Sequence, residues 1–501
     1  MRLKSMLAGP FAALIAQRVK HSAVNAVKIQ EALFARLIRE GRTTAFGIDH
    51  GFDHIKTHSQ FSEAVPVREY ENFKPYIERI KKGESNVLWR GKPVYFAKSS
   101  GTTSGVKYIP ITADSISNHI NTARNALLLY IAETGKSSFV NGRMIFLSGS
   151  PVLDKSGGIL TGRLSGIVNH HVPGYLRSNQ LPSYETNCIE DWEQKIDRIV
   201  EETMNQDMTL ISGIPPWVQM YFERLLDKTG KRTIKEIFPN LSLLVYGGVN
   251  FEPYRNKLFN TIGESIDAIE TYPASEGFFA FQDTQNQEGL LLNVNSGIFF
   301  EFIPADEINN DKPTRFQLRD VEVGVNYALV VSSNAGLWAY SVGDMVKFVS
   351  KSPYRLIVTG RTKHFISAFG EHVIGEEVEG ALMKAANEEN LEVVEFTVAP
   401  QVNPEGGELP YHEWLIEFSV PPSDVDRFRA KVDVELRKRN IYYDDLITGN
   451  ILQPLKITLM RQDGFRDYMK SVGKLGGQNK VPRLSNNRML ADALQPWREN
   501  H

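Results

Sequence analysis

The chain has 501 residues, with 57 basic and 59 acidic side chains and a single cysteine. That length calls for two to four domains, or a large one with a smaller companion. With 42% hydrophobic and 23% charged residues, a disordered chain, a collagen and a coiled-coil rod are excluded. Cys188 has no partner for an intramolecular disulfide, and no Cys-based zinc site is possible. The near-neutral charge leaves no footprint of general nucleic-acid binding. Absence of disulfides fits a reducing compartment, so a cytoplasmic location is expected. No run of 18 apolar residues occurs, so no membrane span is expected.

Met6 to Ala16 is apolar and follows Arg2 and Lys4, superficially like a secretory leader. Gln17-Arg18-Val19-Lys20 offers no small-residue cleavage site, so an amphipathic or buried first helix is expected. The excess of Lys and Arg in the first forty residues leaves weak membrane contact open, without stable insertion. Residues 24–40 read as a helix, with Val27, Ile29, Leu33, Leu37 and Ile38 apolar and Gly41 as its stop. Strands are expected at 94–98 and 107–111, around a Ser/Thr/Gly loop at 99–105. Thr112 then reads as an N-cap, and Ile116, Ile120, Ala123, Leu127 and Tyr130 recur at helical spacing before Gly135. Further β-like runs at 143–147, 241–246, 298–303, 327–332 and 345–348 mix with helical stretches at 190–206, 216–228 and 253–262. Such mixing over 350 residues predicts a large α/β domain.

The last 140 residues differ. A strand at 356–359 runs into Gly360-Arg361, and a helix at 375–389 precedes strands at 391–399 and 412–420. Ser423, with Asp426 three residues on, reads as a capping box opening the next helix. A strand at 455–460 completes an α-β-β-α-β order, that of a small α+β domain. The expected division is 1–360 for a large domain and 361–501 for a small one.

Ser99-Ser100-Gly101-Thr102-Thr103-Ser104-Gly105, followed by Lys107, is the strongest local signal. Five hydroxyls and two glycines there suit a phosphate chain wrapped by backbone N–H groups and side-chain donors. No Walker A loop, no Gly-x-Gly-x-x-Gly after a strand and no Gly-x-Ser-x-Gly elbow occurs. Thr271-Tyr-Pro-Ala-Ser-Glu276 and Tyr340-Ser-Val-Gly-Asp344 each pair an aromatic ring with a carboxylate. Each alone is also compatible with an ordinary turn.

In order along the chain, these segments resemble the GH3 family of acyl-acid amido synthetases, part of the acyl-adenylate-forming superfamily, with bacterial members as the nearest likeness. The family's phosphate loop matches at 99–105, its aromatic–Ser-Glu motif at 272–276 and its Tyr-x-x-Gly-Asp motif at 340–344. Leu244-Val-Tyr-Gly247-Gly248 resembles its adenine-facing strand and turn. Gly360-Arg361 resembles its hinge, and Gln478-Asn-Lys480-Val-Pro-Arg483 its C-terminal lysine segment. Ser341 stands where plant members often have Arg, and Pro273 where a small residue is usual, so hormone specificity is not carried over.

The resemblance implies a large adenylate-forming α/β domain with a small C-terminal α+β domain, using ATP and Mg²⁺. It assigns the 99–105 loop and Lys107 to the β- and γ-phosphates, Tyr272 to adenine, Asp344 to the ribose and Glu276 to Mg²⁺. Ser275 and Arg361 belong to the matched motifs. Lys480 is assigned to the α-phosphate, with Lys474 in Gly473-Lys-Leu-Gly-Gly477 as its rival. The implied reaction joins a small carboxylic acid to an amine such as an amino acid, with no nucleic acid and no obligate protein partner. The alternatives are an acyl-CoA or aryl-CoA ligase and a non-catalytic nucleotide-binding protein; intact Glu276, Asp344 and Lys480 argue against the last. His50, His54 and His58, with Asp49 and Asp53, recur at helical spacing, but Gly51, Ser59 and Ser62 favour a solvated loop over a metal site. His170-His171 reads as a turn or a cleft wall. Phe146-Leu-Ser-Gly-Ser150 and the helix opened by Gly213-Ile-Pro-Pro-Trp217 read as core or as an apolar wall for the acyl group.

Overall fold

The computed structural model describes every residue except 1, 101–105, 173, 190, 249–250, 309, 363–365, 367–372, 403, 405, 407, 449–451, 476–479, 486 and 500–501. Two units emerge. One comprises Met1–Phe251, Leu258–Val342 and Val346–Ile357; the other comprises Glu252–Lys257, Gly343–Met345 and Val358–His501. A single cut at residue 360 does not anticipate the two short earlier pieces.

The first unit opens with helices Arg2–Val24 and Ala26–Gly41. Ala12, Ile15, Ala16 and Ala23 of the first helix are buried in a cluster with Ala126, Leu129 and Tyr130 of helix Ile116–Thr134. Among the described residues, no helix is long and apolar enough to cross a membrane.

Residues 45–64 overturn the loop reading. They form short helices at Ala45–Asp49, Phe52–His54 and His58–Ala64. Thr44 caps the first through Gly47 N, and Thr57 and Gln60 make a capping box on the third. Phe46, Phe52 and Phe61 are buried beneath them, which outweighs the weak local propensity. The His50 ring bonds Phe46 O at 2.8 Å through Nδ1 and meets Arg68 Nη2 at 2.6 Å through Nε2. His58 Nε2 lies 2.7 Å from Glu301 Oε1, and Arg315 Nη2 lies 2.8 Å from Glu301 Oε2. His50 and His58 therefore serve packing, while His54 is exposed. Among the described residues, no group of three ligands suits a metal ion.

The large sheet runs Ile298–Pro304, Asn326–Ser333, Tyr340–Lys351, Tyr354–Arg361, Leu290–Leu292, Gly277–Phe281, Asp267–Ala274, Leu243–Gly247, Met208–Gly213, Arg143–Phe146 and Gln180–Leu181. From Asp267–Ala274 onward in that order the strands are parallel. Helices Trp192–Thr203, Pro215–Thr229 and Glu252–Ile262 serve as crossovers. Trp217, Val218, Tyr221 and Phe222 of helix Pro215–Thr229 are buried. A separate sheet runs Val106–Ile111, Tyr95–Ser100, Ile159–Arg163 and Asp154–Ser156.

Helix Ile116–Thr134 forms as expected, but its buried face is not the expected one. Asn118, His119, Thr122, Ala126 and Leu129 are buried, whereas Ile116, Ile120 and Leu127 are half-buried and Ala123 is exposed. Partners for two of the polar side chains explain the shift. Asn118 pairs with the backbone of Phe278, and Thr122 Oγ1 accepts from Asn293 Nδ2 at 2.7 Å. Thr112 lies one turn ahead of the helix and accepts from Ser115 N at 3.1 Å; Ser115 is the N-cap.

The second unit is built on strands Val393–Gln401, Tyr411–Phe418 and Lys456–Leu459. Helices Gly375–Glu388 and Val425–Arg439 cover it, and Phe396, Val398, Trp414, Ile416, Phe428 and Val432 are buried in its core. The α-β-β-α-β order is present, with an added helix Ile441–Thr448. Asp424, not Ser423, caps the second helix, accepting from Arg427 N at 2.9 Å.

Glu301 is fully buried. Burial opposes its ionisation, but Arg315 and His58 outweigh that and hold the carboxyl below its usual range. Arg315→Ala should therefore cost about 3–5 kcal/mol, because it strands a buried carboxylate. Adding Glu301→Leu should recover much of that loss in denaturant unfolding. A double variant as unstable as the single one would show that the charge is not the cause.

Candidate active site

The 99–105 segment is carried by an antiparallel hairpin. Tyr95 faces Ile111, Ser99 faces Lys107 and Ser100 faces Val106. Residues 101–105, the centre of the phosphate-loop reading, lie outside the described residues. The stem is held from several sides. Tyr70 OH accepts from Tyr108 N at 2.9 Å, and Lys81 Nζ sits 3.7 Å above the Tyr108 ring. His171 Nε2 meets Tyr95 OH at 3.0 Å, so His171 braces this strand from the turn after helix Leu164–Asn169.

Gly247 and Gly248 end the strand Leu243–Gly247. A Cβ on Gly247 would lie 2.4 Å from Thr271 O on the neighbouring strand, so only glycine fits there. Gly248 has φ +82°, a second reason for glycine. Thr271 Oγ1 donates to Tyr246 O at 2.8 Å and locks the two strand ends together. Tyr272 follows, buried edge-to-face against Phe279 with ring centroids 5.2 Å apart.

Ser275 and Glu276 form the two-residue turn between Asp267–Ala274 and Gly277–Phe281, both half-buried. The strand after the turn is clamped at once. Phe278 N donates to Asn118 Oδ1 at 2.7 Å, and Asn118 Nδ2 donates back to Phe278 O at 3.4 Å. Asn118 sits on the first turn of the helix that follows the hairpin. One covalent run and one side-chain clamp thus connect the hairpin to the Glu276 turn.

Gly343 and Asp344 lie inside the strand Tyr340–Lys351, not in the turn that local composition suggests. Gly343 has φ +86°, and its carbonyl accepts from Thr362 N at 2.9 Å. Asp344 is 8% exposed, and Arg361 Nε lies 3.2 Å from its Oδ1.

Lys480 belongs to the same neighbourhood. Protein crowding around its ammonium, then the Arg361 guanidinium, lowers its pKa to about 8, while Asp344 opposes them. The Lys480 side chain nevertheless stays exposed. Hydration therefore remains, and Arg361 is the cause the geometry supports most directly. Lys474 is exposed too, with its N–H donated to Met469 O at 2.8 Å at the end of helix Gly464–Ser471. The structure thus gathers Asp344, Arg361 and Lys480. It also aligns Gly247, Gly248, Tyr272, Ser275 and Glu276 along adjoining strand ends.

Comparison with known proteins decides the family. The model described as the GH3 family N-terminal domain matches residues 15–181 and 160–266. The GH3 family central domain matches 291–361, and the GH3 family C-terminal domain matches 376–489. The chain belongs to the GH3 family. An indole-3-acetic acid-amido synthetase of Arabidopsis thaliana is 23% identical, over 91% of this chain and 89% of the relative. A jasmonoyl–L-amino acid synthetase of Nicotiana attenuata is 24% identical over 76% and 78%. The solved GH3.15 acyl acid amido synthetase superposes with a TM-score of 0.79 at 16% identity, over 97% and 96% of the two chains. A 2-hydroxyisobutyryl-CoA ligase shares the fold at a TM-score of 0.55 and 13% identity, over 96% and 91%.

Two residues of this GH3 chain escape sequence reasoning. Asn118 is one. Lys195 is the other: it is 2% exposed and donates to Ser148 O at 2.9 Å and Asn187 O at 2.8 Å. It thereby fixes the turn that follows strand Arg143–Phe146. Burial, then Arg163, lowers its pKa to about 8, opposed by Cys188. Neither residue has a local motif; each is defined by a partner far away in sequence.

Asn118→Ala should cost about 1–3 kcal/mol, since the Phe278 N–H is left buried and unpaired. Thermal unfolding reads this directly. An unchanged midpoint would mean that the clamp does not hold the Glu276 turn.

Proposed function

We propose that this GH3 chain is an ATP-dependent ligase that adenylates a small carboxylic acid and passes the acyl group to an amine, most naturally an amino acid. The observation that carries the reading is the gathering of Asp344, Arg361 and Lys480 in a chain that is GH3 over most of its length. The names of the amido synthetase relatives support the amine as acceptor.

The chemistry explains the residue types. A carboxylate oxygen attacks the α-phosphorus of ATP and expels pyrophosphate. Two anions must be brought together, so catalysis rests on positioning and charge neutralisation. Lys107 and the 99–105 backbone are assigned to the outer phosphates, and Tyr272 with Gly247 and Gly248 to the adenine. Asp344 is an acceptor for the two ribose hydroxyls. Its ion pair with the half-exposed Arg361 adds little stability, so exchanging it for hydroxyl donors costs little. Lys480 supplies the positive charge at the α-phosphate in the first half-reaction. Glu276, a single carboxylate on a hairpin turn, fits Mg²⁺ held chiefly by phosphates, an ion that takes one or two carboxylates and keeps waters. When bound there, Mg²⁺ neutralises phosphate charge.

Pyrophosphate release against a library of carboxylic acids, with and without amino acids, tests the reaction. A subset of acids should release pyrophosphate and yield amides. No release with any acid would overturn adenylation. Thioester formation with coenzyme A, and no amide, would overturn the choice of acceptor.

The residue roles are tested separately. Lys480→Ala should slow acyl-adenylate formation roughly a hundredfold or more, while transfer from a supplied acyl-adenylate survives. Lys474→Ala should leave both steps near wild type; the reverse pattern would assign the role to Lys474.

The pH profile carries a sign. Lys480 is cationic below its pKa of about 8 and neutral above it. The kcat/KM for ATP, which reports the free enzyme, should fall as pH rises through that value, and Lys480→Arg should move the alkaline limb upward. A limb that stays in place in the arginine variant would show that another group titrates there.

A further inference from the structure

We infer that the first helix, Arg2–Val24, docks this protein on an anionic phospholipid surface. From Met6 to Ala16 the helix is apolar on all sides, a pattern that belongs to buried helices. Yet only one side is covered. Ala12, Ile15, Ala16 and Ala23 are buried in the protein. Met6, Leu7, Phe11 and Leu14 are 71%, 64%, 44% and 45% exposed. At about 100° per residue, these four fall within roughly 140° of the helix circumference, opposite the buried side. Pro10 is exposed between them. Gln17, Arg18 and His21 continue the same side, and Lys20 flanks it; all four are exposed.

Charge identifies the occupant. The first thirty residues contain five Lys and Arg and no Asp or Glu, a net +5 in a chain whose total is −2. A second copy of the chain would bring two such acid-free faces together, and like charges would oppose the contact. A bilayer with anionic headgroups meets both halves of the surface at once. The apolar side chains enter the boundary between headgroups and acyl chains, and the cations stay among the headgroups. Each basic side chain near such a surface adds attraction that salt weakens. The helix lies on the membrane and does not span it, in keeping with its packed face. Docking in this form is independent of the adenylation chemistry.

Vesicle flotation with the full chain tests this. Wild type should float with phosphatidylcholine vesicles containing phosphatidylserine at low ionic strength, and less at high salt. It should stay with the soluble fraction when the vesicles are phosphatidylcholine alone. Leu7→Glu with Phe11→Glu should lower the partition roughly tenfold or more, with thermal unfolding and vesicle-free pyrophosphate release unchanged. Arg18→Glu with Lys20→Glu should lose binding at low salt, where wild type binds best. Three results would each overturn the inference: no flotation of wild type with the anionic vesicles, equal flotation of the Leu7/Phe11 variant, or a wild-type dimer in sedimentation that the same variant dissolves without any vesicle binding.

Discussion

The role proposed for Lys480 at a phosphate requires that its backbone be held, and in this chain the hold is a few residues long. Residues 482–485 pair with the strand Val393–Gln401. Val398 N donates to Arg483 O at 2.9 Å, Ser485 N donates to Val398 O at 3.0 Å, and Thr397 Oγ1 donates to Pro482 O at 2.6 Å. The Arg483 guanidinium lies over the Phe396 ring at 4.5 Å and pairs with Glu395 and with Glu379. Its Nη2 also donates to Tyr254 OH at 3.2 Å. Lys480 begins two residues before this anchor. The Lys-Val-Pro-Arg context thus has a physical meaning: Arg483 and Pro482 fix the end of the segment, and Lys480 is left on a short lead. Lys474 instead sits at the end of a surface helix, its backbone N–H tied to Met469 O at 2.8 Å.

Glycine does related work at the strand ends. Gly247 exists because Thr271 O passes too close for any side chain. That closeness lets Thr271 tie the strand Leu243–Gly247 to the strand bearing Tyr272 and leading to Glu276. Gly343 adopts a left-handed conformation in mid-strand, where a Cβ would come within 3.2 Å of Arg361 Nη2. The residue after it, Asp344, can therefore meet Arg361. In both places the motif spells out a backbone constraint first and a chemical group second.

Much of this was legible in the sequence, and the misses have a common cause. The helices at 26–41, 215–229, 375–388 and 425–439 and the α-β-β-α-β order follow from apolar period, which is local, although the expected cap Ser423 is displaced by Asp424 and the expected stop Gly41 lies inside its helix. The motifs were legible because their residue types and order along the chain are themselves the signal. The failures involve partners remote in sequence. The helix Ile116–Thr134 was found by its period, yet it buries Asn118 and Thr122 because Phe278 and Asn293 lie opposite, about 160 and 170 residues away. His119 is buried on the same side, its Nδ1 without a hydrogen-bond partner, and burial lowers its pKa to about 4. Residues 49–62 looked like a loop because Gly and Ser are poor helix formers, and nothing local announces that Glu301 waits for His58. Apolar period cannot report a face whose polar groups are satisfied by strands not yet written.

Two lysines have pKa values lowered to about 8, and comparing them shows why the shift alone does not mark an active site. Lys195 is buried and spends its donors on the carbonyls of Ser148 and Asn187. Its low pKa is the cost of structure: the ammonium gives up water to hold a turn. Lys480 remains exposed, with a cation on one hand and a carboxylate on the other. An incoming phosphate would find the first lysine enclosed and the second open. Approach of that phosphate would also reverse the effect of Arg361, because added negative charge raises the pKa of a neighbouring ammonium. In the role proposed for it, Lys480 would therefore hold its proton most firmly when nucleotide is bound, which is when charge neutralisation is needed.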